Sequence, residues 1–445
     1  MKRLYRRMLF FSATVVFLAL APLVILYAMG YRRGTVSVDP IPVGVVLVET
    51  IPRRAEVVVG DREADKSPRA FPNVPAGEVP VVITKDGYAP WQKRVPVRPG
   101  LVTDVRQVRL FADNVEPVEV APDVQIFAVS PNRRLIATVG AGRQFSIIDP
   151  EGTTILGPLT LRQEPEQLFW SPNSAAVLIQ SSGETYEVAE VASRIGSRPL
   201  PALQGAHEVT WDYRIPSRLL VHARDASLRA YNILNNSSTV IDQKIVSFAT
   251  SARSIFTLHV DGSIHVFTLQ GAKNGVLPVK SQNAQGHLLV TPDGQLVIWQ
   301  PQGPVELYRD DQLQKISDTA ASVLWSPDGQ TLLIQSDPIS LYVYNVSDRR
   351  STIPEHELRL VTRLSRPIIN PVWFAGGQHI LYQVGDEIII TETDTRDHAV
   401  SFTVDTVNHE AATPAVGEEG KDLFYLKNTE AGLRLVRRLL ILEED

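Results

Sequence analysis

A recurring unit of about 40 residues fills the last three quarters of the chain, and self-similarity at this period predicts a repeat architecture. Each unit has a short turn between two apolar runs. A second turn signal follows roughly ten to thirteen residues later and precedes an alternating strand. Eight units are recognisable, with clear turns at Ser130–Asn132, Ser171–Asn173, Thr291–Gly294 and Ser326–Gly329, and weaker copies at Asp212–Tyr213, Thr250–Ser251, Ala375–Gly377 and Glu419–Lys421.

Four short antiparallel strands per unit are typical of propeller blades, which pack their faces against one another around an axis. The sequence therefore predicts an all-β propeller over residues 115–442, with eight blades and with seven as the alternative count. The apolar-Trp-Ser-Pro-Asp-Gly consensus resembles the bacterial TolB-like and WD-type β-propeller repeats. Because the last unit ends after its third strand, near Leu442, we predict that Pro117–Val120 completes the final blade and closes the ring.

The N-terminal segment is predicted to cross a membrane. No charge occurs from Met8 to Met29, a stretch of about 22 residues that spans roughly 33 Å as a helix. More basic residues precede this stretch than follow it, so residues 1–34 are predicted to form a cytoplasmic tail and signal anchor, with the rest extracytoplasmic. A signal peptide cleaved at Ala19–Ala21 is the alternative, although apolar residues continue beyond that site.

Composition excludes several kinds of site. The chain has no cysteine, which removes disulfides, thiolate metal sites and cysteine nucleophiles. Its formal net charge is −5, without basic clusters outside the anchor, so nucleic acid is not an expected partner.

Between a linker at Gly34–Pro42 and the propeller lie strand-like runs separated by turn residues, which predict a small β-sandwich over residues 43–111. This region resembles the PEGA domain, a module common in bacterial surface proteins. The residues that carry the resemblance are Glu49–Pro52, Ala55–Val59, Ser67–Pro68, Val74–Glu78, and Lys85–Tyr88 with Trp91. Gly60–Asp61 and Asp65 depart from the family pattern, which leaves the shape of that hairpin open.

Four residues of this sandwich have expected roles. Gly77 and Gly87 are predicted to adopt backbone conformations closed to other residues. Tyr88 and Trp91 are predicted to cover the core, with stacking on a ligand such as a sugar ring as the functional alternative.

His259 and His265 flank Asp261–Gly262 and are the best metal candidates in the chain. A two-residue Asp-Gly turn would place the two imidazoles on opposite faces of the hairpin, whereas a three-residue Asp-Gly-Ser loop would bring them together. With no third ligand near them in the sequence, no metal site is predicted.

The other candidate residues are predicted to be structural. The acidic groups Glu392, Asp394 and Asp397 with His398, and the pair Asp310–Asp311, are interpreted as surface charge, with paired-carboxylate catalysis as the alternative. Gly140–Gly142 is predicted to be a hairpin turn, because no helix follows it. The hydroxyls of Ser171 and Ser326 are expected to bond the local backbone, and Trp170, Trp211 and Trp325 are expected to pack between blades.

The sequence thus predicts a membrane-anchored, extracytoplasmic binding or scaffold protein that presents its propeller to a protein or a cell-wall glycan. No catalytic, metal or cofactor-binding residue and no cofactor are predicted. The alternative is a hydrolase or lyase with acidic or histidine side chains gathered at the propeller axis. A sensor or assembly factor that works with another membrane protein is a third hypothesis.

Overall fold

Strands make up nearly all of the regular structure after one N-terminal helix. The computed structural model describes residues 2–28, 31–33, 40–193, 196–283, 285–407, 414–430 and 432–442, so positions 34–39 of the predicted linker lie outside the described residues. The chain divides into two compact units, one comprising Met1–Asn114, Arg396–Val400 and Ile441–Asp445, the other Val115–Thr395 and Ser401–Leu440.

Helix α1 spans Lys2–Ala28 and includes Pro22. Its segment Met8–Leu26 has a mean hydropathy of 2.6 and is long and apolar enough to cross a membrane. Large apolar side chains such as Phe10 and Phe17 are exposed on it. A helix that is apolar around its circumference and unburied in the protein suits a membrane anchor or a signal sequence.

The first unit contains two four-stranded sheets, as the resemblance implied. The strands are β1 Tyr31–Arg33, β2 Pro40–Ile51, β3 Glu56–Val59, β4 Asp65–Lys66, β5 Arg69–Pro75, β6 Gly77–Thr84, β7 Trp91–Val97 and β8 Val102–Arg109. In one sheet β1 and β5 pair antiparallel with β2, and β8 pairs parallel with it; the other has the order β4-β3-β6-β7. The two sheets bury a valine-rich core that includes Val46, Val57 and Val81.

The predicted roles in this sandwich are confirmed. Gly77 and Gly87 have φ angles of 135° and 78°, in the region that favours glycine. Tyr88 and Trp91 are buried, at 8% and 4% exposure, so both rings cover the core. Strand β7 was not predicted, because Lys93 occupies one of its buried positions and hides the alternation.

The second unit contains eight four-stranded antiparallel sheets in its described residues, which confirms the propeller with eight blades. Each of blades 1 to 7 has its strands in sequence order. Blades 1 to 4 comprise Val124–Val129, Ile136–Gly140, Gln144–Ile148 and Thr154–Thr160; Pro165–Trp170, Ala176–Ser181, Thr185–Glu190 and Ser197–Pro199; Glu208–Trp211, Arg218–His222, Ser227–Asn232 and Ser237–Gln243; and Ile245–Thr250, Ser254–His259, Ser263–Thr268 and Lys273–Lys280.

The remaining blades follow the same plan. Short 3-10 helices at Ala141–Arg143, Pro201–Leu203, Ala375–Gly377 and Glu418–Gly420 lie between strands. Blades 5 to 8 comprise His287–Val290, Leu296–Trp299, Gly303–Arg309 and Gln312–Ala320; Ser322–Trp325, Thr331–Asp337, Ser340–Asn345 and Leu358–Arg363; Ile368–Trp373, His379–Val384, Glu387–Glu392 and Ser401–Thr406; and Ala415–Val416, Asp422–Thr429, Gly432–Leu439 and β9 (Val118–Pro122).

Strand β9 closes the ring. It pairs antiparallel with the third strand of blade 8, where Glu119 faces Val436 and Ala121 faces Leu435. The prediction that the segment before blade 1 completes the last blade is therefore confirmed. Pairing the two ends of the propeller covers a strand edge that an open ring would expose.

The hydrophobic core of the propeller lies between neighbouring blades. One buried cluster joins Leu178 and Val188 of blade 2 to Leu219 and Val221 of blade 3. The second strand of each blade buries apolar residues on both faces, which explains its short continuous apolar run in the sequence.

Candidate functional site

First strands of adjacent blades contact one another between blades 1 and 2, blades 2 and 3, and blades 4 and 5, which identifies them as the inner strands of the propeller. Tryptophan side chains bond these strands together. Trp170 Nε1 donates a 2.8 Å hydrogen bond to the backbone oxygen of Ala128, in the preceding blade. Trp211 Nε1 donates in the same way to Phe169, and Trp373 Nε1 to Leu324.

The predicted packing of these tryptophans between blades is confirmed. Trp170 packs on Ala137 and Val139 of blade 1, and Trp211 on Leu178 of blade 2. Trp325 occupies the equivalent position in blade 6, but among the described residues its buried Nε1 has no hydrogen-bond partner. Tryptophan therefore recurs in the sequence because its side chain packs between neighbouring blades.

The hydroxyl residues of the repeated turns bond their own backbone, as predicted. Ser171 Oγ accepts a 2.9 Å hydrogen bond from the backbone N–H of Ala176, and Ser326 Oγ accepts one of 3.0 Å from Thr331. Ser130 makes the equivalent bond with Leu135. These hydroxyls are therefore occupied in holding the turns and are not placed as nucleophiles.

A funnel opens where the first strands end and the repeated turns begin. Its volume is about 830 Å³, and blades 1 to 5 contribute its wall. This size lies within the range of small-molecule pockets and would also hold a few residues of a peptide. The lining residues that give the funnel its chemistry are Pro131, Arg133, Phe169, Trp170, Pro172, Thr210, Trp211, Tyr213, Thr250, Ser251 and Pro292.

The funnel wall combines aromatic rings, prolines and hydroxyls. Tyr213 is 54% exposed and is the most accessible of its rings. Arg133 supplies the cationic group and donates a 2.8 Å hydrogen bond to the backbone oxygen of Val416 in blade 8. Among the described lining residues there is no carboxylate and no imidazole. The wall therefore presents surface for apolar and aromatic contact rather than an acid–base pair.

The sequence did not identify the residues that line this funnel. Its prolines and Tyr213 belong to the repeated turns, which were interpreted as architecture alone. The signal available was the recurrence itself: residues at equal phase in successive blades meet at the axis.

Glu208 begins the first strand of blade 3 and was not predicted as a special residue. Its side chain is reached by solvent, yet surrounding protein partly desolvates it, and this burial raises the pKa of Glu208 to about 7. Desolvation disfavours the charged carboxylate. This group therefore changes charge near neutral pH.

The structure decides the relative position of His259 and His265, which the sequence left open. Leu258 pairs with Ile264, so the hairpin has the three-residue loop Val260–Gly262, and both imidazoles lie on one face. Their ring centroids are 3.8 Å apart. The loop is a turn closed by the Gly262 N–H on the His259 oxygen at 2.9 Å. Gly262 has a φ of 79°, whereas Asp261 is not among the residues with positive φ, so the two-residue turn is excluded.

A third donor comes from the preceding blade. Asp242, in the outermost strand of blade 3, places Oδ2 2.8 Å from His259 Nε2 and 3.5 Å from His265 Nδ1. Thr257 Oγ1 donates to the same oxygen at 2.6 Å. All three candidate donor atoms lie within 4.8 Å of one another, and their residues are partly buried. The sequence did not identify Asp242 as a third candidate donor, because local spacing does not show residues of another blade.

The electrostatics of this cluster favour an ionised Asp242 carboxylate beside a neutral His265 ring. Burial raises the pKa of Asp242, but hydrogen bonds from Thr257 and His259 outweigh it, so the pKa lies below its ordinary value. Burial, His259 and Lys273 lower the pKa of His265. Ionised carboxylates and neutral imidazoles are the protonation states that ligate metal ions.

The interpretation of Glu392 as surface charge was wrong. Glu392 is buried and lies opposite His379 in the neighbouring strand. Asp394 follows that strand and is partly buried. Asp397 and His398 are exposed, and Asp397 Oδ2 lies 3.2 Å from His398 Nδ1. A hydrogen bond from the Arg94 N–H lowers the pKa of Asp397. Thr393, the residue between Glu392 and Asp394, is also buried.

Two other predictions are confirmed. Asp310 and Asp311 are exposed, in the turn that joins the last two strands of blade 5. Gly140 and Gln144 pair across the segment Ala141–Arg143, so Gly140–Gly142 belongs to a hairpin turn.

Taken together, these features define a β-propeller protein with an apolar axial funnel, preceded by a β-sandwich and an apolar helix. Residues 43–109 match the family model of the PEGA domain, so the chain carries a PEGA domain ahead of its propeller. A comparison with curated protein sequences found no match.

Solved structures similar to this chain include WD40 domains. The C-terminal WD40 domain of Sif2 is 12% identical, with a TM-score of 0.52, and the alignment covers 73% of this chain and 98% of that one. The WD40 domain of SCAP from fission yeast is 13% identical, with a TM-score of 0.48 and coverages of 74% and 98%. At such identities the likeness to Sif2 establishes the fold alone. The TolB-like part of the predicted resemblance stays a prediction.

Proposed function

We propose that this chain is a membrane-anchored, extracytoplasmic binding protein whose propeller funnel holds a segment of a partner protein. The observation that carries the proposal is the wall of the funnel, where Phe169, Trp170, Trp211 and Tyr213 lie beside three prolines. Aromatic residues dominate the energetics of protein interfaces.

The chemistry of the wall favours a peptide over a glycan. Phe169 and the prolines offer no side-chain hydrogen bond, and Arg133 and the hydroxyls of Thr210, Thr250 and Ser251 are the principal polar groups. A peptide supplies apolar side chains for the rings and a carbonyl or carboxylate for Arg133. The net charge of −5 disfavours nucleic acid.

The N-terminal segment supports the proposed location. The segment Met8–Leu26 is suited to cross the bilayer, and the excess of basic residues before it favours a cytoplasmic N-terminus. On this arrangement the PEGA domain and the propeller lie outside the cytoplasm. A hydrolase or lyase would need titratable groups that converge in the funnel, and the described lining supplies none with a carboxylate or imidazole.

Site-specific photo-cross-linking in native cells tests this proposal. A benzophenone amino acid in place of Tyr213 is expected to give one discrete adduct that protease, but not glycosidase, removes. The matched control carries the same amino acid in place of Leu234, which is 72% exposed in blade 3 and does not line the funnel. We expect no adduct there.

A second variant shows whether the funnel itself is occupied. Thr210→Arg is introduced into the chain that carries the benzophenone amino acid at position 213, where the larger side chain occupies part of the funnel. It should reduce the adduct at position 213 by at least tenfold. Equal adducts at both positions, an adduct that Thr210→Arg leaves unchanged, or an adduct removed by glycosidase would contradict a peptide-binding funnel.

A further inference from the structure

A cluster of three donors joins blades 3 and 4, at a place separate from the funnel. Asp242 extends from the outermost strand of blade 3 toward His259 and His265, which lie on adjacent strands of blade 4. The side chains are 13%, 12% and 17% exposed, so the cluster is sheltered but reachable from solvent.

The arrangement is held in place by the fold. Thr257 Oγ1 donates to Asp242 Oδ2, and the Gln243 N–H donates to Oδ1 at 2.9 Å, so the carboxylate has a fixed orientation. The three-residue loop that ends at Gly262 sets both rings on one face. A Cβ at Gly262 would lie 2.2 Å from the Ser281 oxygen, so no other residue fits there unshifted.

The boundary between blades 7 and 8 has an equivalent carboxylate whose contacts are structural. Asp405, in the outermost strand of blade 7, accepts hydrogen bonds from Tyr425 Oη at 2.5 Å and from Lys427 Nζ at 2.7 Å. Tyr425 and Lys427 are two residues apart on the second strand of the next blade, as Thr257 and His259 are in blade 4. A protonated lysine neutralises the carboxylate but cannot ligate a metal. In blade 4 two imidazoles replace that ammonium group.

We propose that Asp242, His259 and His265 bind a divalent transition-metal ion, with Zn²⁺ as the ion that their ligand chemistry favours. Zinc sites of two histidines and one carboxylate leave a fourth position for water, and their ligand atoms are about 3.3 Å apart in a tetrahedron. The distance from His265 Nδ1 to Asp242 Oδ2 is 3.5 Å, and that from His259 Nε2 is 2.8 Å. Binding requires the shorter contact to open by a few tenths of an ångström, and the metal replaces the hydrogen bond there.

Lys273 places its ammonium group close to the proposed site. Its Nζ lies 3.2 Å from His265 Nδ1, and its side chain is exposed. The ammonium group sits on a flexible four-carbon stem, so it can move into solvent when the metal takes the lone pair of Nδ1.

The expected consequence is a metal link between blades 3 and 4. Because two of the ligands lie in one blade and the third in its neighbour, the unfolded chain does not present them together. An ion that binds the folded chain alone stabilises it in proportion to the logarithm of its concentration.

The test uses the full-length chain in detergent micelles. Isothermal titration with Zn²⁺ should give one site per chain, and Co²⁺ should give the intense visible absorption of a four-coordinate complex. Asp242→Asn and His259→Gln should each weaken Zn²⁺ binding by at least tenfold. Asp405→Asn is the matched control, since it removes the equivalent contact between blades without removing a ligand, and it should bind Zn²⁺ as the parent chain does.

Circular dichroism shows which variants fold. His265→Gln alters the donor farthest from the carboxylate, so it should lose Zn²⁺ binding with its spectrum unchanged. This variant keeps the test decisive if another one fails to fold. No Zn²⁺ binding by the folded parent chain, or binding that survives in all three folded ligand variants, would overturn the proposal. Equal loss in Asp405→Asn would overturn it as well.

Discussion

The indole nitrogen of Trp211 donates a 2.9 Å hydrogen bond to the backbone oxygen of Phe169, in the blade before it. The bond joins two innermost strands and lies in the wall of the funnel. The same side chain therefore stabilises the ring and shapes its binding surface.

Trp211→Phe should destabilise the propeller by about 1 kcal/mol beyond the loss of ring volume, because a neutral hydrogen bond is removed. Trp325→Phe is the matched control, since its buried Nε1 has no partner among the described residues. Removing an unsatisfied donor should be nearly neutral in hydrogen-bond energy. Urea denaturation followed by far-UV circular dichroism measures both, and equal destabilisation of the two variants would contradict the role of the bond.

Gly262→Ala should destabilise the chain by about 2 kcal/mol, because the added Cβ meets both a positive φ and the Ser281 oxygen. Gly183→Ala is the control. Gly183 has a φ of 72° in the corresponding hairpin of blade 2, and a Cβ there would meet nothing within 4 Å. It should cost about 1 kcal/mol. Thermal unfolding compares them, and a smaller cost at Gly262 than at Gly183 would contradict the loop described here.

Glu208→Gln should stabilise the chain more at pH 8 than at pH 5. Burial raises the folded-state pKa of Glu208 to about 7 from 4.5, so its favourable contribution is complete below pH 4.5 and is lost as the pH rises through 7. Because solvent reaches the side chain, the expected difference is about 1 kcal/mol rather than the full value of the shift. Denaturation midpoints at both pH values measure it, with Glu78→Gln as a charge-matched control. An identical gain at both pH values would contradict the assignment.

Leu18→Arg should release the chain from membranes. Leu18 lies near the middle of Met8–Leu26, where an arginine costs about 3 kcal/mol. Carbonate extraction should find the variant in the supernatant, and both the parent chain and Leu18→Val in the pellet. N-terminal sequencing of the mature chain provides a second check, since a start just after Ala21 would indicate a cleaved signal peptide.

The architecture could be predicted from the sequence, but the candidate sites could not. Regular turns predicted the blades, and the missing last strand predicted the pairing of β9 with blade 8, because a propeller has to cover its edges. The hydroxyl turns were also predictable, since their bonds are local.

Contacts between blades were not predictable from one sequence. Asp242 reaches His259 across a blade boundary, and the position of Gly262 as the third loop residue places both imidazoles on one face, which the sequence left open. The alternation in β7 was hidden by Lys93, a charged residue at a buried position. Such features depend on long-range packing that a single sequence does not display.

A disulfide across the closing strand tests most directly whether the chain forms a ring. The chain has no cysteine, so Glu119→Cys with Val436→Cys introduces one defined pair at facing positions of antiparallel strands. Mild oxidation should form an intramolecular disulfide that shifts migration in non-reducing electrophoresis and raises the unfolding temperature. Glu119→Cys with Leu360→Cys, an exposed position in blade 6, should form none. If the 119–436 pair stays reduced or links separate chains, the propeller is not closed by its N-terminal strand.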